Sequence, residues 1–307
     1  MSSKLPAEFL QRYISIIPDF DEFLKFINEP LKQAFRINTL KAKKDKVLEF
    51  LSDIRLEPVP WYNLAFRVSE KINFGQRIEH FLGLIYVQEL ASMLPALILS
   101  PQPNETILDM SAAPGSKTTQ IASMMANTGL IIANDISSKR INKLIFNIEH
   151  QGVLNTVIIR QSGQKLGHLL PEYFDRVLLD APCSLEGMIR KSLSAVSYWS
   201  ESNILRHSKI QKGLINSAYQ CLKPNGVLVY STCTYAPEEN EMVIDYLLKK
   251  YPSAICEPIT INKLKTRPGI SEWRSYRFDK NIRNTIRLYP QDNDTEGFFI
   301  AKIRKLC

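Results

Sequence analysis

Five short apolar runs constrain this chain more than any other feature. Thr106–Met110, Leu130–Asp135, Thr156–Ile159, Arg176–Asp180 and Val227–Ser231 are almost continuously apolar until their polar ends, and amphipathic stretches long enough for helices separate them. A strand that is apolar on both faces has to be covered on both faces, as in a parallel sheet with helices above and below. Two later runs, Ile286–Tyr289 and Phe298–Ile303, have no helical stretch between them and predict an antiparallel hairpin at the sheet edge. The expected fold class is α/β, a doubly wound and mostly parallel sheet closed by a C-terminal hairpin.

A smaller unit precedes that sheet. Lys4–Asn28 reads as one or two helices with an apolar face of Phe9, Leu10, Tyr13, Phe23, Phe26 and Ile27. Ala34–Thr39 alternates like a strand, Lys43–Ile54 has helical periodicity, Pro58 and Pro60 stop that helix, and Trp61–Val68 reads as a second strand. The division this predicts is a small α/β module over residues 1–80 and a main domain over 81–307, in which Val87–Leu99 forms the first helix. Arg36, Lys41, Lys43, Lys44 and Lys46 cluster along the module. They suit phosphate contacts with RNA, or simply a solvated charged face.

A net charge of +8 fits a polyanionic partner such as nucleic acid. The five cysteines, Cys183, Cys221, Cys233, Cys256 and Cys307, are odd in number and widely spaced, with no C-x-x-C pair and no cysteine–histidine cluster. That pattern argues against a disulfide framework or a metal site and leaves catalysis as the reason for any special cysteine. No apolar run is long enough to cross a membrane. Met1–Pro6 lacks the apolar core of a signal peptide, so residence in the cytosol is expected. Nothing in the sequence speaks to oligomeric state.

Every chemically suggestive residue falls at the carboxyl end of one of the five strands, where open α/β sheets bind their ligands. The first runs into Ser111-Ala112-Ala113-Pro114-Gly115-Ser116-Lys117-Thr118, small residues that let a ligand approach the backbone at the start of a helix. It matches neither G-x-G-x-x-G nor a P-loop, and a tight strand-to-helix turn has the same composition. The second strand ends in Asp135, at the spacing of an acid that holds a ribose, although Asp is also a good helix cap. The fourth ends in Asp180-Ala-Pro-Cys183-Ser and the fifth in Ser231-Thr-Cys233-Thr, followed by Glu238-Glu-Asn240-Glu. Cysteines in polar turns beside acids are placed for reactivity rather than for packing.

These residues carry a resemblance. Asp180-Ala-Pro-Cys183-Ser, Ser231-Thr-Cys233-Thr and Ala112-Ala-Pro-Gly115-Ser-Lys117-Thr118 resemble the signature of the Nol/Nop/Sun family of RNA 5-methylcytosine methyltransferases. Arg36-Ile-Asn38, Tyr86-Val-Gln-Glu-Leu-Ala-Ser, the Glu238 run and Gly297-Phe-Phe-Ile extend the similarity from about residue 30 to 304. It implies a Rossmann-like methyltransferase sheet with S-adenosyl-L-methionine as cofactor. By similarity, Ala112, Ala113, Pro114, Gly115, Ser116, Lys117 and Thr118 cradle its amino-acid part and Asp135 its ribose, while Asp180 borders the same pocket. Relatives carry Asp-Gly-Arg after the third strand. Here the stretch is Ser162-Gly163-Gln164, so Ser162 would meet the adenine without a charge. Leu185 likewise stands where many relatives have a small residue.

The resemblance further implies the mechanism. Cys233 adds to carbon 6 of cytosine, Asp180 binds the ring at nitrogen 3 and the exocyclic amine, and Cys183 assists release of the product. Lys117 would steady Asp180 or tune a neighbour's pKa. The expected partner is RNA, ribosomal first because Glu186–Lys191 looks like that stretch in ribosomal members, and transfer RNA second. Arg267, Arg274, Arg277, Lys280, Arg283 and Arg287, interleaved with Trp273, Tyr276 and Phe278, would line the RNA path or pack the domain edge. Two rival readings remain at this stage: a DNA-type cytosine enzyme with Cys183 as nucleophile, and a ribosome assembly factor without turnover.

Overall fold

The structure, a computed structural model, describes residues 5–191 and 199–307; Lys4 lies outside the described residues. The described strands are β1 (Ala34–Ile37), β2 (Leu56–Pro58), β3 (Ala65–Val68), β4 (Ile85–Val87), β5 (Thr106–Asp109), β6 (Leu130–Asn134), β7 (Thr156–Ile159), β8 (Phe174–Asp180), β9 (Leu222–Thr232), β10 (Ala254–Glu257), β11 (Arg267–Pro268), β12 (Glu272–Trp273), β13 (Tyr276–Arg277), β14 (Ile286–Leu288) and β15 (Phe298–Lys305). The large sheet has the order β11-β14-β15-β9-β8-β5-β6-β7, with β10 also paired to β15. From β9 to β7 every pairing is parallel, and β15 enters antiparallel to β9 with β14 antiparallel beside it. A short helix, Pro290–Asn293, sits in the β14–β15 connection that the sequence had suggested was free of helix.

Alternation along each strand explains the continuous apolar runs. Ile107, Ile131, Leu178, Val229 and Ile300 face one layer, which holds Leu94, Ile121 and Leu144 from helices Leu90–Leu99, Ser116–Met124 and Ser138–His150. Leu108, Val177, Leu179, Leu228 and Phe299 face the other, against Leu166, Ile215 and Ile244 from helices Gly163–Leu169, Glu201–Cys221 and Glu241–Lys250. Each such side chain taken out of water stabilises the fold by roughly 1.5–3 kcal/mol. No helix among the described residues is long and apolar enough to cross a membrane.

The small antiparallel sheet has the order β2-β3-β1-β4. It therefore runs past residue 80, because Ile85–Val87 pairs with β1 before the helix Leu90–Leu99 begins. Pro58, read as a helix stop, lies in β2, whose partner is β3; at a sheet edge its missing N–H costs nothing. Helices Ala7–Tyr13 and Phe20–Asn28 leave this sheet altogether. Their Phe9, Tyr13, Phe23 and Ile27 pack with Ile189, Tyr235 and Tyr289, beneath the turns that carry the two strand-end cysteines.

Candidate active site

The strand order reverses at β5, and the loops after β5, β6, β7, β8 and β9 open on one cavity of about 1420 Å³. Its lining includes Ala112, Ala113, Pro114, Ser116, Lys117, Asp135, Ser162, Asp180, Cys183 and Cys233. Gly115 and Thr118 complete the loop without lining it. Gly115 caps the helix at φ +109°, and a Cβ there would meet Leu144 Cδ1 at 3.0 Å, so glycine lets the loop fold flat against its neighbour. Thr118 is buried and donates to Asp109 Oδ2 at 2.7 Å. Burial pushes the Asp109 carboxyl up to about 6.

Asp135 is buried; its Oδ1 accepts Ser137 N–H at 2.9 Å. Its Oδ2 lies 3.3 Å from Arg140 Nη1 and has no hydrogen-bond partner. A carboxylate lining the cleft next to a loop of small residues, with one oxygen that makes no hydrogen bond, fits the hydroxyls of an S-adenosyl-L-methionine ribose. Ser162 precedes the helix Gly163–Leu169 and makes no capping bond, so its hydroxyl is not committed there.

Lys117 is no surface lysine. It is buried, and its Nζ donates to Asp180 Oδ2 at 2.6 Å and to Ser92 Oγ at 3.3 Å. Burial works against the ammonium, but the pairing with Asp180 outweighs it and holds the Lys117 pKa above the ordinary lysine value. Ser231 Oγ donates to Asp180 Oδ1 at 2.7 Å, which fixes both carboxylate oxygens at the floor of the cleft.

The β8 and β9 turns bring the two cysteines together, Sγ to Sγ at 3.4 Å. Cys183 is buried, whereas Cys233 is partly exposed to the cavity. The hydrogen bond to Cys233, followed by burial, pushes the Cys183 thiol well above its usual range. Either sulfur of this pair can be the donor to the other.

Buried acids that the sequence reading did not single out hold these turns. Glu239 Oε2 accepts Ser184 N–H at 3.1 Å and Gln211 Nε2 at 2.8 Å, and burial pushes its carboxyl up to about 8. Glu186 accepts from Tyr13 Oη (2.6 Å), Trp199 Nε1 (2.5 Å), Thr234 Oγ1 (2.6 Å) and Tyr235 N–H (3.0 Å). Gly187 N–H donates to Cys233 O at 2.8 Å, and Gly297 N–H to Gly187 O at 3.0 Å. The run Glu238–Glu241, directly after an apolar strand, was the signal in the sequence for part of this network; Glu186 had none.

Two basic residues expected on an RNA path are structural instead. Arg287 is buried and forms an ion pair with Glu241 at 2.5 Å. Arg36 is 1% exposed, and its guanidinium donates to Gln88 Oε1 (2.9 Å), Thr119 Oγ1 (2.7 Å) and Ser116 O (3.2 Å). Burial pushes its pKa down to about 10. Trp273 is buried with Nε1 donating to Glu238 at 2.9 Å, so it packs the domain edge rather than stacking on bases. Arg277 and Tyr276 remain exposed.

The doubly wound sheet with this strand order, with a small-residue loop after β5, a buried acid after β6 and paired cysteines beside an Asp–Lys couple, is the architecture of a Rossmann-like methyltransferase. Residues 96–304 match the family described as 16S rRNA methyltransferase RsmB/F, and residues 5–90 match the N-terminal domain of 16S rRNA methyltransferase RsmF. The chain belongs to the Nol/Nop/Sun family of S-adenosyl-L-methionine-dependent RNA 5-methylcytosine methyltransferases. It is 47% identical to a tRNA (cytosine(49)-C(5))-methyltransferase of Pyrococcus abyssi, over 98% of this chain and 97% of that protein. It is 40% identical to ribosomal RNA small subunit methyltransferase F of Vibrio vulnificus, over 99% of this chain but 64% of that protein. The crystal structure of a methyltransferase homologue from Pyrococcus horikoshii superposes with a TM-score of 0.87 at 35% identity, covering 97% of this chain and 95% of that one.

Proposed function

We propose that this enzyme methylates carbon 5 of a cytosine in transfer RNA, with Cys233 as the nucleophile. The observation that carries the assignment of roles is the unequal pair of cysteines: Cys233 is partly exposed in the cleft, and Cys183, in contact with it, is buried. Carbon 5 of cytosine is too weak a nucleophile to accept a methyl group unaided. Addition of the Cys233 thiolate at carbon 6 forms the S–C6 bond and sends the 5,6 π pair toward carbon 5 and nitrogen 3. Asp180 is positioned to accept from the exocyclic amine with one oxygen and to share a proton with nitrogen 3 through the other as the electron pair arrives there, and the Lys117 ammonium behind it is the adjacent positive charge. S-adenosyl-L-methionine, when held by residues 112–118, Asp135 and Ser162, supplies the methyl electrophile. A base, solvent water in the open cleft, then takes the carbon 5 proton; the C–H electron pair restores the 5,6 double bond, the S–C6 bond breaks and its pair stays on the Cys233 sulfur. Cys183, 3.4 Å from that sulfur, suits assistance at that step by donating its S–H to the leaving thiolate. The target base has to leave its stack to reach this floor, so the RNA presents it unpaired or flipped. Residues 1–80 and their lysines Lys41, Lys43, Lys44 and Lys46 are the proposed grip on the backbone.

Transfer RNA is favoured by the more similar relative, which this chain matches nearly end to end. Ribosomal RNA, ranked first from the sequence, is supported by the names of both family models and of the RsmF relatives, of whose length the chain spans under two thirds. A denaturing gel tests the roles. Wild type, Cys183→Ala and Cys233→Ala are incubated with S-adenosyl-L-methionine and, separately, total transfer RNA or 16S ribosomal RNA. Cys183→Ala should accumulate a slow-migrating protein–RNA adduct with transfer RNA, and Cys233→Ala none. An adduct with Cys233→Ala instead reverses the roles, and adducts confined to ribosomal RNA reverse the substrate.

A further inference from the structure

Cys183 and Cys233 stand just past the ends of adjacent parallel strands, β8 and β9, where Asp180 is registered with Ser231. Beyond the strands the two turns stay joined. Ala181 N–H donates to Ser231 O at 2.9 Å, Ser184 Oγ and Thr234 Oγ1 share a hydrogen bond of 2.8 Å, and Gly187 N–H donates to Cys233 O at 2.8 Å. The cysteines lie among these clips with their sulfurs 3.4 Å apart, and both line the cleft.

That arrangement is within reach of a disulfide. Neighbouring strands run about 4.8 Å apart. A disulfide joins residues whose Cα atoms are roughly 4.4–6.8 Å apart and sets the sulfurs about 2.05 Å from each other. From 3.4 Å the sulfurs have about 1.4 Å to close, which rotation about the two χ1 bonds supplies without parting the turns. The other cysteines are placed differently: Cys221 and Cys256 are buried and do not line the cleft, and Cys307 is exposed.

Resting on the proposed role of Cys233 as nucleophile, we infer that the pair is also an oxidation site, which hydrogen peroxide converts to a Cys183–Cys233 disulfide that switches methylation off reversibly. The Cys233 thiolate gives an electron pair to one peroxide oxygen. The S–O bond forms, the O–O bond breaks, and the hydroxide that leaves takes up the proton given by the thiol, as water. The Cys183 sulfur then attacks the sulfur of the Cys233 sulfenic acid. The S–S bond forms, the S–O bond breaks, and the departing hydroxide takes the Cys183 proton as a second water. Two thiols are oxidised to one disulfide, and one peroxide is reduced to two waters. A Cys233 sulfur held in this bond cannot add to carbon 6. Because Cys183 condenses with the sulfenic acid, it also keeps Cys233 from climbing to the sulfinic acid, which thiols do not reduce.

The test exposes wild type to hydrogen peroxide, quenches with catalase, and applies non-reducing peptide mass spectrometry before and after dithiothreitol. The Cys183 and Cys233 peptides should appear joined, two hydrogens lighter than their sum. Methylation of the RNA trapped by Cys183→Ala should fall by about tenfold or more and return to within about twofold under dithiothreitol. Affinity for S-adenosyl-L-methionine in titration calorimetry should stay within about threefold, because residues 112–118 and Asp135 are untouched. Cys307→Ser should respond like wild type. In Cys183→Ala, prolonged exposure should leave Cys233 as sulfinic acid, and the lost adduct formation should not return with dithiothreitol. The inference is overturned if wild type accumulates Cys233 sulfinic acid without the linkage, or if Cys307 is the partner instead. It is equally overturned if Cys233 stays reduced while Cys307 is oxidised, or if cofactor binding is lost along with methylation. A linkage that leaves methylation intact brings down Cys233 as the nucleophile, and the switch with it. A missing linkage in an active enzyme leaves that assignment standing, so the two failures are distinct.

Discussion

The sulfurs of Cys183 and Cys233 are 3.4 Å apart, yet Cys183 is buried and Cys233 is partly exposed. Chemical labelling should separate them. At pH 8, iodoacetamide is expected to modify Cys233 and the exposed Cys307 at least tenfold faster than Cys183, followed by peptide mass spectrometry. Equal rates at Cys183 and Cys233 would contradict the assignment of nucleophile and partner.

Asp180→Asn should be costly twice over. Lys117 would be left as a buried ammonium without its counter-charge, a loss of about 1–3 kcal/mol given that Asp180 is 30% exposed. Nitrogen 3 would also lose the acid that shares a proton with it, and single-turnover methylation should fall by about a hundredfold or more. A variant within tenfold of wild type would remove Asp180 from the reaction.

Glu239 carries a pH signature. Its carboxyl in the folded protein stands at about 8, above the ordinary glutamate value of 4.5. The folded form therefore holds a proton that the unfolded chain releases. The stability this contributes is complete below pH 4.5 and is lost as pH rises to 8, at no more than about 1.4 kcal/mol per unit. Glu239→Gln keeps a neutral side chain at every pH. Its melting temperature should match wild type near pH 5 and exceed it by several degrees at pH 9; parallel melting curves across that range would refute the assignment.

Gly187 should tolerate no side chain. A Cβ there would stand 2.2 Å from Gly297 O and 3.0 Å from Cys233 O, both backbone atoms. Gly187→Ala is expected to shift the Cys233 turn and slow adduct formation by tenfold or more, with cofactor affinity unchanged because the loop over β5 is not touched. Unaltered adduct kinetics would show that the turn can yield.

The sheet, and the convergence of its strand ends on one cavity, were legible because parallel strands advertise themselves as apolar runs and their carboxyl ends meet by topology. What could not be read was which charges are buried. Arg287 looks like a surface base in sequence and becomes internal only because Glu241, 46 positions earlier, meets it. Tyr13 looked like part of a separate module and instead bonds to Glu186, 173 residues away, under the catalytic turns. Such pairings depend on long-range packing that no local period records.

Arg36 belongs to the small sheet, but its guanidinium grips Ser116 and Thr119 at the start of the helix that carries the cofactor loop. RNA gripped by the small sheet and a cofactor seated on that loop, both as proposed above, would share one strut. Two ligands joined in this way form a closed thermodynamic cycle. Whatever factor the cofactor adds to RNA affinity, RNA returns to cofactor affinity, whichever arrives first.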